Sequence, residues 1–556
     1  MACCNPIILR LVFLLTLILT ILATLFVVFM FEPNWFFLSV MLLSEALCFC
    51  RFYYYVIHRS DGNPDVPFCV IFSTISKRIQ ALESQAQNSG FAARVLPVAI
   101  LSSIIIVFAL YVPVWIAALR VGLLSDDNYF LGTFTWPACL TSAQVYHYIP
   151  LFNTIVYLMG RWFGWNALPF HIVGLVIQMI NVFLVAKLGF ELTRSRIAGI
   201  LSALLFLTFP FAHEVVFWAT AQYSYGLMTI CFLIGCLIVA KGARDGFTIK
   251  TSIAVVTVFI VGVAIIESML VSFPIWMLLW WQLRPLKKRI SQAEAAAFLG
   301  LACAAITDLL AKHFLTQQMG VTNCPIYYRL MNFSAMQFHM LRMDALSSGE
   351  SMKEYYGVAG CLIGLVLLRY QRLIGILILS TELALMPSAI LSGVAPRYLY
   401  MPASMSSILL AILLYSMVTT TRRLTRLQLP YICAFLAMCL LSVHICVNGI
   451  GFLSNQSKYW IAASEISNKM LNDCLAEIRQ MPVPEAIAIT HVPDRVDGVW
   501  FDGAYMGRNG VPEWLHHNLG DRYKNIPIYA FPRENQCREA DLVIKCKPAP
   551  SYCALN

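Results

Sequence analysis

The stretch Ser125-Asp126-Asp127-Asn128-Tyr129-Phe130 places two adjacent carboxylates directly after a long apolar run. Acids beside hydrocarbon are costly and tend to be kept for function. Neighbouring carboxyls can differ in pKa, so one of them can serve as general base toward a hydroxyl. The plainer alternative is a water-facing acid pair at a helix end. His213-Glu214, inside Pro210-Phe211-Ala212-His213-Glu214-Val215-Val216-Phe217-Trp218, is a second such pair between two apolar runs. Its alternatives are an interfacial histidine and an acid favoured by a helix N-terminus. Arg397, in Val394-Ala395-Pro396-Arg397-Tyr398-Leu399-Tyr400-Met401-Pro402, is the lone basic residue of an apolar hairpin. A guanidinium there can hold phosphate or carboxylate bidentately. The alternative is ordinary snorkelling to the interface.

These residues need a scaffold, and composition says which kind. Of 556 residues, 59% are hydrophobic and 12% charged, with a mean hydropathy of +0.72. A soluble domain carries about a quarter charged residues. The balance excludes a soluble enzyme, a disordered scaffold and a disulfide-stapled secreted domain. The expected fold class is a polytopic α-helical membrane protein. Thirteen apolar segments are long enough to be read as spans: 7–31, 35–57, 95–119, 167–190, 196–212, 214–240, 251–267, 268–282, 294–315, 354–370, 372–391, 397–418 and 429–452. The first reads as a signal anchor.

The net charge of +10 is a record of topology rather than a nucleic-acid signal. With the N-terminus cytoplasmic, Lys and Arg fall in all six inner loops, as the positive-inside rule requires. Among them are Arg194, Arg196, Lys241, Arg244, Arg284 and Arg422. That parity puts the stretches 120–166 and 316–353 and the tail 453–556 on the exoplasmic side. The outer loop 120–166 continues through Tyr146-His147-Tyr148 into an amphipathic segment at 151–164, flanked by Pro150 and Gly164. That segment is too short to span and is expected to lie in the outer interface. The domain expectation is 1–94 for two spans and a cytoplasmic loop, 95–452 for the main membrane domain, and 453–556 for a soluble tail.

The order of these motifs resembles the GT-C superfamily of membrane glycosyltransferases. It runs from the acid pair to Tyr148-Ile149-Pro150-Leu151-Phe152, then Pro169-Phe170-His171, then the His213-Glu214 segment, then Arg397-Tyr398-Leu399-Tyr400-Met401-Pro402. It is most similar to bacterial family-39-like proteins and to O-mannosyltransferases that bear tetratricopeptide repeats. The match covers roughly 95–420. The chain departs from those relatives in two extra N-terminal spans, in lacking a repeat array, and in carrying Pro396 where an acid often precedes the arginine. The resemblance implies transfer of a sugar from a polyprenyl-phosphate carrier to a hydroxyl acceptor on the exoplasmic face, with inversion. It makes Asp126 or Asp127 the base, with Asp127 favoured, and gives His213 and Glu214 supporting roles. Arg397 would hold the donor phosphate with Tyr398, Lys312 and Arg342. Tyr129, His147, Tyr148 and His171 would position the acceptor. No cofactor or metal site is expected, since the outer loops contain no D-x-D pair. Expected partners are the lipid-linked sugar, the acceptor and membrane lipids, with no nucleic acid. The location is a bacterial inner or an ER membrane. Competing readings are a catalytically inactive structural subunit of a membrane complex and a transporter. A transporter would place its ionisable residues nearer the midplane.

The tail is expected to form a small α/β unit, with a helix at 455–481 and strands near 485–493, 526–531 and 540–546. Eighteen cysteines are scattered through the chain, and Cys474, Cys537, Cys546 and Cys553 fall in this tail. An exoplasmic setting permits disulfides there.

Overall fold

A computed structural model of the chain describes residues 91–124, 126–141, 148–284, 290–315, 333, 336, 337, 340, 355–390, 395–425, 428–492, 510–530, 536 and 540–546. The chain divides into two units, Met1–Leu82 and Glu83–Asn556. The first unit, with the expected spans 7–31 and 35–57, lies outside the described residues, as do His147, Arg342, Cys537, Cys553 and the Lys312 side chain.

The second unit is a helical membrane domain. Among the described residues, six helices are long and apolar enough to cross a membrane, or seven if one bent pair counts as a single span. In chain order the described helices are α1 (Phe91–Ala118), α2 (Asp126–Thr133), α3 (Ala138–Thr141), α4 (Pro150–Phe163), α5 (Ala167–Thr193), α6 (Arg196–Leu207), α7 (His213–Phe217) and α8 (Ala219–Ala221). They continue as α9 (Leu227–Asp245), α10 (Ile249–Ile265), α11 (Ser272–Leu283), α12 (Gln292–Leu315), α13 (Tyr355–Tyr370), α14 (Arg372–Ile390), α15 (Tyr400–Thr425), α16 (Gln428–Gln480) and α17 (Val511–Leu519). Phe183, Leu299 and Leu440 are each about two-thirds exposed, which marks faces built for lipid rather than water.

Tight turns set the alternation. Arg194 closes α5 in a left-handed conformation, and the Ser195 hydroxyl caps α6 by accepting from the Ala198 amide at 3.3 Å. Glu191 accepts from Arg194 at 2.8 Å and from Arg244 at 3.4 Å, so it ties the α5 end to the α9 end. Ser291 and Glu294 form a reciprocal capping box at the start of α12. Glu294 also accepts from Trp280 at 3.2 Å. Arg194 and Arg244 thus meet at one end of the bundle, while α2, α7 and Arg397 lie at the other.

Several expected spans come out differently; 214–240 breaks at Trp218, and Ala219–Asp245 is the part long and apolar enough to cross. The segment 196–212 does not end cleanly at 213. Pro210 lacks an N–H and cannot continue α6, so the helix breaks and Pro210–Phe217 leaves at 55°. The segment 268–282 becomes a short 3-10 turn over Glu267–Val271 followed by α11. Twelve helical residues rise only about 18 Å, short of the ~30 Å hydrocarbon core.

A single helix also runs through the expected boundary at 453. α16 is one helix of 53 residues, roughly 80 Å long at 1.5 Å per residue. It spans the membrane and continues as the stalk of the tail. There Ile487–Thr490 (β1) lies between Ile528–Ala530 (β2) and Leu542–Lys545 (β3) in a parallel sheet of order β2-β1-β3. Ile487 is registered with Ile528 on one side and Leu542 on the other. Leu471 and Ile478 of α16, Ile487, Ile489 and Ile544 of the sheet, and Leu515 of α17 form its buried core. The three strands fall inside the stretches expected from sequence.

α4 is the amphipathic element expected at 151–164. Phe152, Val156 and Met159 are buried, while Leu158, Trp162 and Phe163 face out. α17 then packs on α2. A Cβ on Gly132 would lie 2.3 Å from the Glu513 Cβ, so this contact requires glycine. Trp165 meets His517 at 5.0 Å between ring centroids.

Candidate functional site

α2 begins at the acid pair, so both carboxylates sit in its first turn, where the helix dipole favours negative charge. Asp127 is 2% exposed. One of its oxygens accepts from the Leu124 amide at 3.0 Å and the other from the Thr220 amide at 2.9 Å. The carboxylate therefore joins α2 to the α7–α8 segment, 93 positions away. Asp126, one residue earlier, is half-buried. Burial pushes the Asp127 carboxyl up to about 7, against the pull of its Leu124 and Thr220 donors, and the Asp126 charge adds to the rise.

That shift has a stability consequence. The folded protein holds a proton that the unfolded chain releases in the ordinary carboxylate range. Stability from this group is thus complete at low pH and is lost as pH rises toward about 7. The thermal midpoint of the detergent-solubilised protein is expected to fall between pH 5 and 8, and Asp127→Asn should flatten that fall. The same variant should also cost about 1–3 kcal/mol, because its amide group would face a backbone donor. A pH-independent difference between the two proteins would count against this assignment.

The second part of the site is built on α7. Glu214 is fully buried. Its Oε2 accepts from the Arg397 backbone amide at 3.1 Å and from Arg397 Nη1 at 3.0 Å. The Pro396–Leu399 turn holds Arg397 here, 183 positions along the chain. The guanidinium carbon lies 5.3 Å from the Trp218 ring centroid and 5.0 Å from that of Tyr398, within cation–π range. Tyr398 in turn meets Tyr225 edge-on at 5.7 Å. Besides the Glu214 bond, the guanidinium donors make no hydrogen bond to any described residue, and the side chain keeps 20% of its surface exposed. One edge is anchored and another is open. The arrangement can bind an anion without first surrendering its counter-ion.

His213 is fully buried. Its Nδ1 accepts from Trp460 Nε1 at 3.3 Å, and its Nε2 has no partner among the described residues. Trp218 Nε1 is likewise buried and unpartnered. Such orphaned polar atoms are uncommon in folded interiors. Trp460 comes from α16, so the stalk helix closes the site from the tail side. It lies 6.2 Å from Trp218, ring to ring.

Behind α8, Gln222–Gly226 forms one π-helical turn, a feature frequent at functional sites. Gln222 Nε2 donates to the Val216 carbonyl at 2.5 Å. A Cβ on Gly174 of α5 would lie 1.6 Å from Gln222 Oε1. Gly174→Ala is expected to destabilise the protein by about 1–3 kcal/mol through overpacking. It should also lower activity, measured against the thermal midpoint of the same preparation.

The structure brings Asp126, Asp127, His213, Glu214, Arg397 and Tyr398 to one end of the bundle. Tyr129 sits on α2 against Phe130, at 5.6 Å between centroids. The Tyr148 hydroxyl donates to the Leu140 carbonyl at 3.2 Å. His171 is fully buried on α5 and faces the Val121 backbone. Neither Tyr148 nor His171 makes a hydrogen bond to the acids or to Arg397. Trp218 and Trp460 were not among the residues expected from sequence. Trp218 stands inside the quoted motif, where an aromatic beside an acid was the available signal. Trp460 carried no signal, because its contact to His213 spans 247 positions. Among the described residues, no group of three or more His, Cys, Asp and Glu side chains is placed to hold a metal ion.

No family model matches the sequence, and no curated protein matches it. The chain is similar to solved structures that include two states of one protein. ArnT from Cupriavidus metallidurans bound to undecaprenyl phosphate aligns with a TM-score of 0.44 at 12% identity, over 80% of this chain and 89% of that one. The apo state of the same protein gives 0.40 at 11% identity, with the same coverage. Likeness of this degree does not assign an activity, and the functional reading rests on the residues themselves.

Proposed function

We propose that the chain is an integral-membrane glycosyltransferase. It moves a sugar from a polyprenyl-phosphate carrier to a hydroxyl acceptor at the exoplasmic face, with inversion at the transferred carbon. The observation that carries this reading is the half-anchored Arg397, joined through residues 213–221 to the helix that bears the acid pair. A cation with open donors at the interface suits a lipid-linked phosphate. A nearby acid suits deprotonation of an alcohol.

The sequence reading favours Asp127 as the base; the difference in exposure supports Asp126 instead. Asp127 is buried and spends both oxygens on backbone amides. Asp126 reaches the surface of the same helical turn. Asp126 is therefore assigned as the base and Asp127 as the positioning residue that holds α2 against α8. Asp126 takes the acceptor proton as the hydroxyl oxygen attacks the sugar. The bond to the carrier phosphate breaks, and Arg397 takes up the developing charge on the departing oxygen. Glu214 fixes the guanidinium. His213 Nε2 and Trp218 Nε1 are available to phosphate or sugar oxygens. The scheme calls for no cofactor.

The test is transfer of radiolabelled sugar from a panel of polyprenyl-phosphate sugars in membranes containing the wild-type protein. Transfer from one donor supports the reading. No transfer from any donor, in preparations with a cooperative thermal transition, would overturn it in favour of a structural subunit.

A further inference from the structure

Cys474 and Cys546 lie 72 positions apart, yet their Sγ atoms are 3.9 Å from each other. Both are buried, at 3% and 9% exposure. Each sits on backbone that is fixed independently. Cys474 faces the sheet from α16, between Leu471 and Ile478 of the same buried cluster. Cys546 follows β3, and its amide donates to the Thr490 carbonyl at 3.0 Å, which extends the β1–β3 ladder by one bond. A disulfide needs its sulfurs about 2.05 Å apart.

We infer that Cys474 and Cys546 form a disulfide that bolts the last strand of the tail sheet to the stalk helix. It rests on the exoplasmic placement of the tail, where an oxidising environment sustains such bonds. Formation is thiol–disulfide exchange. The two thiols lose two protons and two electrons as the S–S bond forms. An exoplasmic oxidoreductase disulfide accepts them and leaves as a dithiol. The bond closes a long loop, so it restricts the unfolded chain strongly. Because α17 packs on both this sheet unit and α2, the bolt also steadies the helix that carries the acid pair.

The experiment uses the full-length protein in membranes. It is denatured without reductant in the presence of an alkylating agent, digested and mass-mapped. One cross-linked peptide pair containing Cys474 and Cys546, lost on reduction, is expected. Recovery of both residues as alkylated thiols would overturn the proposal. Reductant should lower the wild-type thermal midpoint by several degrees. It should not move that of the Cys474→Ser, Cys546→Ser double variant. A pair that only packs would show no effect of reductant on either protein. The topology is read separately by Asp521→Cys and a membrane-impermeant maleimide on intact cells. Labelling from outside with both native thiols free sinks the disulfide alone. Labelling only after permeabilisation, again with free thiols, sinks both the placement and the bond.

Discussion

Asp126→Asn is expected to lower the rate of sugar transfer roughly 10²–10⁴-fold with little change in the thermal midpoint. The substitution keeps the side-chain volume and an acceptor oxygen at the helix start, but an amide cannot take the acceptor proton. The contrast with Asp127→Asn is the informative part. Asp127 links α2 to the Thr220 amide from a buried position, so its loss should show first in stability and only then in rate. Asp126 should show the reverse. For a base, the deficit belongs in kcat, since the hydroxyl is deprotonated only as the bond to the sugar forms. A loss confined to KM would point to acceptor binding instead. Wild-type turnover in Asp126→Asn moves the base elsewhere. Wild-type turnover in both variants removes the acid pair from the chemistry.

The span pattern was legible because lipid imposes a single strong demand, a long apolar helix with satisfied backbone. α5, α10 and α14 lie close to their expected limits. The strands of the tail were legible for a similar reason, as short β-branched runs such as Ile487-Ala488-Ile489-Thr490 punctuated by turns. What did not show was any contact between residues distant in sequence. In sequence, Glu214 and Arg397 are both candidate site residues, each beside a plainer alternative, but not partners of one another. Only the fold makes them one ion pair. Sequence position alone favours Asp127 over Asp126, and their difference in burial is a property of the fold. The continuity of α16 through 453 was hidden for a different reason. Beyond Gly451, polar residues replace apolar ones while helix-forming periodicity continues, so the composition change marks the exit from hydrocarbon and not the end of α16.

The Glu214–Arg397 pair should give the largest stability effect of any single change in the site. Glu214→Gln is expected to cost about 3–5 kcal/mol, because it leaves a largely buried guanidinium without its counter-ion. Arg397→Lys should be milder in stability, losing the stack on Trp218 and Tyr398, of order 0.5–2 kcal/mol. It should nonetheless weaken donor use roughly 10–100-fold, since a lysine offers a point charge where the guanidinium offers a fork. Those two results alone do not separate a donor-binding arginine from a structural one. The double variant Glu214→Gln, Arg397→Met does. Removing both charges relieves the unpaired ion, so much of the stability lost in Glu214→Gln should return. Transfer should not return with it. The readout is a double-mutant cycle on the thermal midpoint beside kcat/KM for the donor. If stability and transfer recover together, Arg397 is a packing residue and the phosphate is held by another cation. If stability recovers and transfer stays lost, the open edge of the guanidinium is where the carrier phosphate binds.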